Sequence, residues 1–229
     1  MRTVLSWSGG KDAAYALDEM RRAEDVHVEG LLTTIAADTG RSSMHGVRRE
    51  LYERQAAAVG LPIEFVELPT DPTNEAYERA MAAAIESYAD RGIERIAFAD
   101  LLLDDIRAYR EEQLSDTGLD GYWPLWGRDT ASLAADFADR FEATIVSVDG
   151  DLFDRSFAGR ALDAEFLADL PDEVDPCGEN GEFHTFVRDG DGPIFDEPVD
   201  VTTGETVTRP VGDGEFHYCE LLAPNEPAP

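Results

Sequence analysis

The sequence predicts an α/β protein built on a parallel sheet, followed by a smaller α+β unit. Three observations carry this. Strand-like and helix-like segments alternate through the first half of the chain, short loops separate them, and the alternation breaks near residue 128. Strand–helix repeats with short connections imply right-handed crossovers and a sheet covered on both faces. Such open sheets bind ligands beyond the carboxyl ends of their strands.

Each element follows in order. "TVLSWS" (3–8) reads as a short strand, "GGKD" as a turn and "AAYALDEMRR" (13–22) as a helix. "VHVEGLLTTI" (26–35) is a second strand, with a polar stretch running to Gly40. The segment 46–60 has helical periodicity and ends on Gly60, a residue suited to a C-cap. "PIEFVELP" is the third strand, and 74–92 a long amphipathic helix stopped by Gly92. "IERIAFAD" (93–100) is a fourth strand, and 104–118 a further helix. The loops after Ser8, Ile35 and Asp100 therefore gather at one edge of the sheet.

From residue 128 the pattern predicts a helix (130–140), an apolar strand (143–150) and a helix near 161–170. A turn-rich, β-like tail follows. "VDVTTGETVTRP" (199–210) reads as a hairpin around a central turn, "GEFHYCELL" as a closing strand and "APNEPAP" as a frayed end. The expected division is residues 1–127 and 128–229.

Charge narrows the function. The chain carries 49 Asp and Glu against 19 Lys and Arg, a formal charge of -30, spread along its length. Dispersal predicts a solvated acidic shell suited to a high-salt cytoplasm, where screening removes most self-repulsion. Nothing in the sequence resembles a basic groove, so nucleic acid is a disfavoured partner. Cys177 and Cys219 form no CxxC pair, and buried thiols are the expectation. No run approaches the roughly 18 apolar residues of a membrane span, and the start shows no cleavable signal pattern. The expected setting is cytoplasmic.

"SWSGGKDAAYAL" is the first stretch that carries chemistry. It holds the one lysine of the chain, Lys11, among 18 arginines. Consecutive glycines Gly9 and Gly10 let backbone amides approach an anion, and the following helix adds its positive end. Ser8 offers a hydroxyl, Lys11 a charge for phosphate, and Asp12 a helix cap or a ligand for magnesium. Neither the Walker spacing nor GxGxxG is present. A second stretch, "SMHGV" (43–47), sets His45 beside the second strand. A third, 98–130, combines an acidic strand end, Arg107 and Arg110 on a helix, and "PLWG" as an apolar wall. Helical spacing puts residues 104, 107, 108 and 111 on one face, so Asp104 and Arg107 are expected over the pocket. In "DPCGENGEFHTFVRDGDGPIF" (175–195), Glu179, Glu182, His184 and Thr185 crowd into seven residues. On a strand Glu182, His184 and Phe186 would share a face and could bind a cation or act as acid–base groups.

"SGGKD" resembles the PP-loop, SGGxDS, of ATP pyrophosphatases, which split ATP into AMP and pyrophosphate while adenylating a substrate. Ala13 stands where that motif has serine, at a cost on the order of 1 kcal/mol for one neutral hydrogen bond. With the HG pair, D-I-R-x-Y-R, PLWG and GENGEFHTFV in this order, residues 1–198 resemble the diphthine–ammonia ligase family, and its prokaryotic branch in particular. Ala99 departs from the glycine common in the family. The family's enzymes amidate diphthine on translation elongation factor 2, using ATP and ammonium.

The resemblance implies a PP-loop nucleotide domain followed by a small domain with the GENGE motif. It implies ATP on Ser6, Ser8, Gly9, Gly10, Lys11, Asp12 and Ala13, with Thr34, His45, Gly46 and Asp100 completing the site. Substrate would meet Asp104, Arg107, Arg110, Trp126 and Gly127 on one side. On the other it would meet Gly178, Glu179, Gly181, Glu182 and Thr185. The catalytic set is expected to be Lys11, Asp12, Asp100, Glu179, Glu182 and His184, with Mg²⁺ at Asp12, and a homodimer is allowed. Two other readings stay open. One is a PP-loop enzyme with a different substrate, such as tRNA or a small carboxylate; the other is a non-catalytic adenine-nucleotide-binding module.

Overall fold

The computed structural model describes residues 1–42, 44–69, 72–192, 194–212 and 214–224. Most of the closing "APNEPAP", expected to fray, lies outside them. The first sheet contains β1 (Arg2–Ser6), β2 (His27–Ala36), β3 (Ile63–Leu68), β4 (Arg95–Ala97) and β5 (Asp120–Tyr122), in the order β3-β2-β1-β4-β5. Every pair is parallel. Helices α1 (Lys11–Arg22), α2 (Arg49–Ala58), α3 (Asn74–Asp90) and α4 (Asp104–Leu114) make the crossovers. After α5 (Thr130–Arg140), a second sheet contains β6 (Phe141–Asp149), β7 (Phe183–Gly190), β8 (Thr202–Val211) and β9 (Gly214–Leu222). Its order is β7-β6-β9-β8, all antiparallel. A short α6 (Ala164–Ala168) joins β6 to β7.

Alternation along β1 explains why this sheet is covered twice. Val4 faces one side and packs with Leu32, Ile85, Tyr88 and Ile96 beneath α3 and α4. Leu5 and, just beyond the strand, Trp7 face the other and join Leu17, Tyr52, Ile145, Phe183 and Phe186. That second cluster runs without a break into the small sheet, so the two sheets share one core. Helix ends follow local chemistry. The Thr73 side chain accepts from the Ala76 amide, Asp129 accepts from Ser132, and Gly60 and Gly92 close α2 and α3 with positive φ.

Several expectations need correction. β1 stops at Ser6 and α1 starts at Lys11, so Lys11 and Asp12 belong to the first helical turn. β5 arises between the helix expected over 104–118 and "PLWG", where no strand was expected; three residues are too few to show alternation. Residues 199–210 do not fold back on themselves. They supply the single strand β8, with Gly204 at an irregularity in its ladder with β9, and the reversal comes after Val211. The helix near 161–170 shrinks to α6, capped by Asp163. Among the described residues no helix is long and apolar enough to cross a membrane.

Candidate nucleotide site

A cleft of about 360 Å³ opens beyond the carboxyl ends of β1, β2 and β4. Ser6, Trp7 and Ser8 form one wall, Thr33 and Thr34 of β2 the floor, and Ser42, Met44 and His45 the loop side. Helices α3 and α4 roof it with Tyr77, Met81, Ile106, Tyr109, Arg110 and Gln113. The cleft is thus mostly apolar and aromatic, with hydroxyls along the sheet edge, a lining suited to a flat heterocycle and its sugar.

The glycine loop begins where the cleft meets Ser8. Gly9 adopts φ +72°, and a Cβ there would lie 2.5 Å from Gln55 Oε1. A Cβ at Gly10 would sit 3.2 Å from both the carbonyl and the hydroxyl of Thr185. Close approach, not turn geometry alone, requires both glycines. The Gly10 amide donates to Ser8 Oγ at 3.3 Å, and the Lys11 amide donates to Thr185 Oγ1 at 2.9 Å. Ala13 is buried in the core, so the position that departs from the PP-loop motif is covered by neighbouring side chains.

Lys11 is 4% exposed. Its ammonium lies 2.6 Å from Asp12 Oδ2 and 5.5 Å from the centre of the Phe183 ring. Burial works against its charge, but its neighbours, Asp12 foremost, outweigh burial and hold its pKa above the ordinary value. The lysine therefore stays protonated beside the 177–183 segment.

That segment is held by carboxylates. Glu182 Oε1 accepts from the Asp175 amide and from Asn180 Nδ2, and Oε2 accepts from the Asn180 amide. Asp175 in turn accepts from the Cys177 amide and from the Thr130 hydroxyl. Gly178 has φ +66°, and a Cβ on it would meet the Phe183 carbonyl at 2.9 Å. Gly181, at φ +88°, donates to the Gly178 carbonyl. Glu179 reaches across to the first sheet, where its Oε2 accepts from the Leu101 amide at 3.0 Å. Glu182 is thus spent on the turn, whereas Glu179 bridges the two halves of the molecule. His184 does face a neighbour: its ring lies 4.4 Å from that of His45, centre to centre, and its buried Nε2 has no partner among the described residues.

The structure gathers Ser6, Ser8, Thr34, His45 and Arg110 around the cleft, with Lys11, Asp12, Glu179 and Thr185 next to the loop. It does not gather all of the expected residues. Asp104 is exposed at the start of α4, and Arg107 pairs with Glu111 while its guanidinium stacks on Trp123 and Trp126, 4.7 Å from each ring. The face of α4 turned into the cleft is 106, 109, 110 and 113, because those side chains complete the apolar roof. Trp126 therefore walls Arg107, not the pocket, and Gly127 donates to the Leu101 carbonyl. Gly46 packs against Tyr218. Asp100 holds Arg110 at 3.1 Å and accepts from Trp123 Nε1. The sequence reading missed Gln55, Tyr77, Met81 and Tyr109. For the last three, the apolar stripes of α3 and α4 were the available signal.

Titration sets two opposing pH windows. Burial raises the Glu179 carboxyl from 4.5 to about 7, Asp12 adds to the rise, and the Leu101 amide and Lys11 oppose it. Burial lowers His184 from 6.5 to about 4 and His45 well below its ordinary value, with Lys11 adding to both. The raised carboxyl contributes stability that is present below pH 4.5 and lost as pH rises towards 7. The depressed His184 contributes stability that is present above pH 6.5 and lost as pH falls towards 4. Glu179→Gln keeps an acceptor for Leu101 and is expected to remove the first loss, so its melting temperature above that window should exceed the parent's. Thermal unfolding against pH at constant salt checks this; an unchanged profile would refute the assignment. Cys177, pushed by burial up to about 12, stays a thiol, and both cysteines are buried and free.

Family models match most of the chain. That for the diphthamide synthase N-terminal domain covers residues 1–120, and that for the diphthamide synthase C-terminal domain covers 129–217. The fold is similar to a predicted subunit of tRNA methyltransferase from Methanocaldococcus jannaschii, with 14% identity and a TM-score of 0.47. That match covers 84% of this chain and 98% of the other. A U34-tRNA thiolase from Methanococcus maripaludis, solved with its 4Fe–4S cluster, is also similar at 14% identity and a TM-score of 0.37. It covers 61% of this chain and 56% of its own. No curated protein matches the sequence.

Proposed function

The chain belongs to the diphthamide synthase family, within the PP-loop ATP pyrophosphatases, and from that premise we propose an ATP-dependent amide-forming ligase. Its substrate is a carboxylate on a protein, diphthine on elongation factor 2, and its nitrogen donor is ammonium. The observation that carries the reading is the aromatic cleft ending at Ser8, where the glycine loop and a buried, protonated Lys11 begin.

Adenosine lies in the cleft among Tyr77, Met81 and Tyr109, with the sugar towards Ser6 and Thr34. The phosphates then extend over Ser8, Gly9 and Gly10 to the start of α1, where amides and helix dipole favour negative charge. Lys11 exchanges Asp12 for the phosphate chain and stabilises the charge that develops as the substrate carboxylate attacks the α-phosphorus. Pyrophosphate leaves, an acyl-adenylate remains, and ammonia displaces AMP to give the amide. Mg²⁺ suits one hard carboxylate plus phosphate oxygens; Asp12 is that carboxylate, and the ion would neutralise phosphate charge there. Glu179, whose carboxyl burial raises to about 7, would exchange a proton with the incoming nitrogen. His184 and His45 stay neutral and offer an imidazole nitrogen without adding positive charge.

A tRNA substrate would approach against a formal charge of -30. Incubation with ATP, ammonium and diphthine-bearing elongation factor 2 in high salt tests the proposal. Mass spectrometry of the factor should show the OH-to-NH₂ exchange. AMP release with no change in the factor would mean a different carboxylate, and no AMP release would leave a binding module.

A further inference from the structure

We infer that Gln55 is a positioning residue that sets the glycine loop against β7, so that binding of the phosphate chain depends on the docked second sheet. The inference rests on the nucleotide reading above. Gln55 projects from α2, is wholly buried, and has no part in the chemistry described so far. Its Oε1 accepts from Trp7 Nε1 at 3.0 Å. Its Nε2 donates to the Gly9 carbonyl at 2.9 Å and to the Val187 carbonyl at 2.7 Å. The Val187 amide also donates to the Gly9 carbonyl, at 2.9 Å. One carboxamide therefore ties the residue entering the loop, the first loop glycine and a strand of the other sheet.

The chemistry allows few replacements. Two donors and an acceptor in one flat group are what an amide supplies. A glutamate would turn an acceptor towards two carbonyls, and an apolar chain would leave buried polar groups without partners. Two residues before Val187, Thr185 lies on the same face of β7 and takes the Lys11 amide through its hydroxyl. The glycines permit the loop's path; Gln55 and Thr185 select it. With the Lys11 amide held on Thr185 and the Gly9 carbonyl on Gln55 and Val187, the loop keeps this path beneath the phosphates only while β7 is in place.

Adenosine and ATP separate this role from simple core filling, because adenosine fills the cleft without loading the loop. Calorimetry in high salt should find adenosine affinity in Gln55→Met within roughly twofold of the parent, and ATP affinity lower by about tenfold or more. Thr185→Ser, which keeps the hydroxyl acceptor for the Lys11 amide, should lose less ATP affinity than Thr185→Val. Amide exchange at Gly10 and Lys11 should quicken in Gln55→Met. Equal losses for adenosine and ATP, or unchanged ATP affinity with unchanged exchange, would overturn the inference. Where Gln55→Met does not fold, the Thr185 pair decides it: a valine variant that binds ATP like the serine variant overturns it. If the parent binds neither ligand, the nucleotide reading fails by itself. Faster exchange at Gly10 and Lys11 would then still support the positioning role, and unchanged exchange would remove it.

Discussion

Lys11→Ala is expected to abolish conversion of ATP to AMP while the protein remains folded. Removing one preorganised charge-stabilising group from a site of this kind typically costs on the order of 10²–10³ in turnover, and here the group carries a full charge. The structural loss is smaller. Breaking a wholly buried ion pair costs roughly 3–5 kcal/mol, but Asp12 stays 25% exposed and can hydrate when its partner goes. Lys11→Arg should fail as well, because a 4% exposed site bounded by Asp12 and the Phe183 ring has no room for a planar fork. Chromatographic AMP release with a melting curve on the same sample checks both variants. Full AMP release from Lys11→Ala would remove the loop from the mechanism.

Glu182→Ala is expected to act through the fold. Three donors from Asp175 and Asn180 converge on this carboxylate, which is 5% exposed. Truncation strands them. At about 1–3 kcal/mol for each buried group left unpaired, and with exposed Asn180 able to recruit water, a total loss of roughly 2–4 kcal/mol follows. Amide formation should fall with it, since the turn carries Glu179. Adenosine binding should persist, because no residue of 175–182 lines the cleft. Denaturant midpoints in high salt and adenosine calorimetry measure the two effects, and an unchanged midpoint would contradict the role given to Glu182.

These two residues show how far a linear reading reaches. Lys11 was legible because its setting is local: strand, two glycines and helix lie within a dozen residues, and a single lysine among arginines marks the place. Glu182 was singled out by the crowding of carboxylates, yet its partners show it closing a turn. Alternation along a strand foresaw a shared face with His184 but not that Glu182 precedes β7. The helical face of α4 was misjudged for a related reason. Charge spacing pointed to Asp104 and Arg107, whereas the apolar roof over the cleft and the stacking of Arg107 on two tryptophans turned that face away.

Periodicity and glycine placement were sufficient for the parallel sheet, for the glycine loop between β1 and α1 and for a smaller α+β unit after it. Each is a property of neighbours along the chain. Contacts such as Gly9 with Val187, Glu179 with Leu101, and His45 with His184 join segments far apart in sequence. No local pattern specifies which buried donor meets which acceptor; that follows from how two sheets pack on one core, where every buried polar group has to find a partner. The glycine loop was therefore visible as a motif, and its clamp only as a fold.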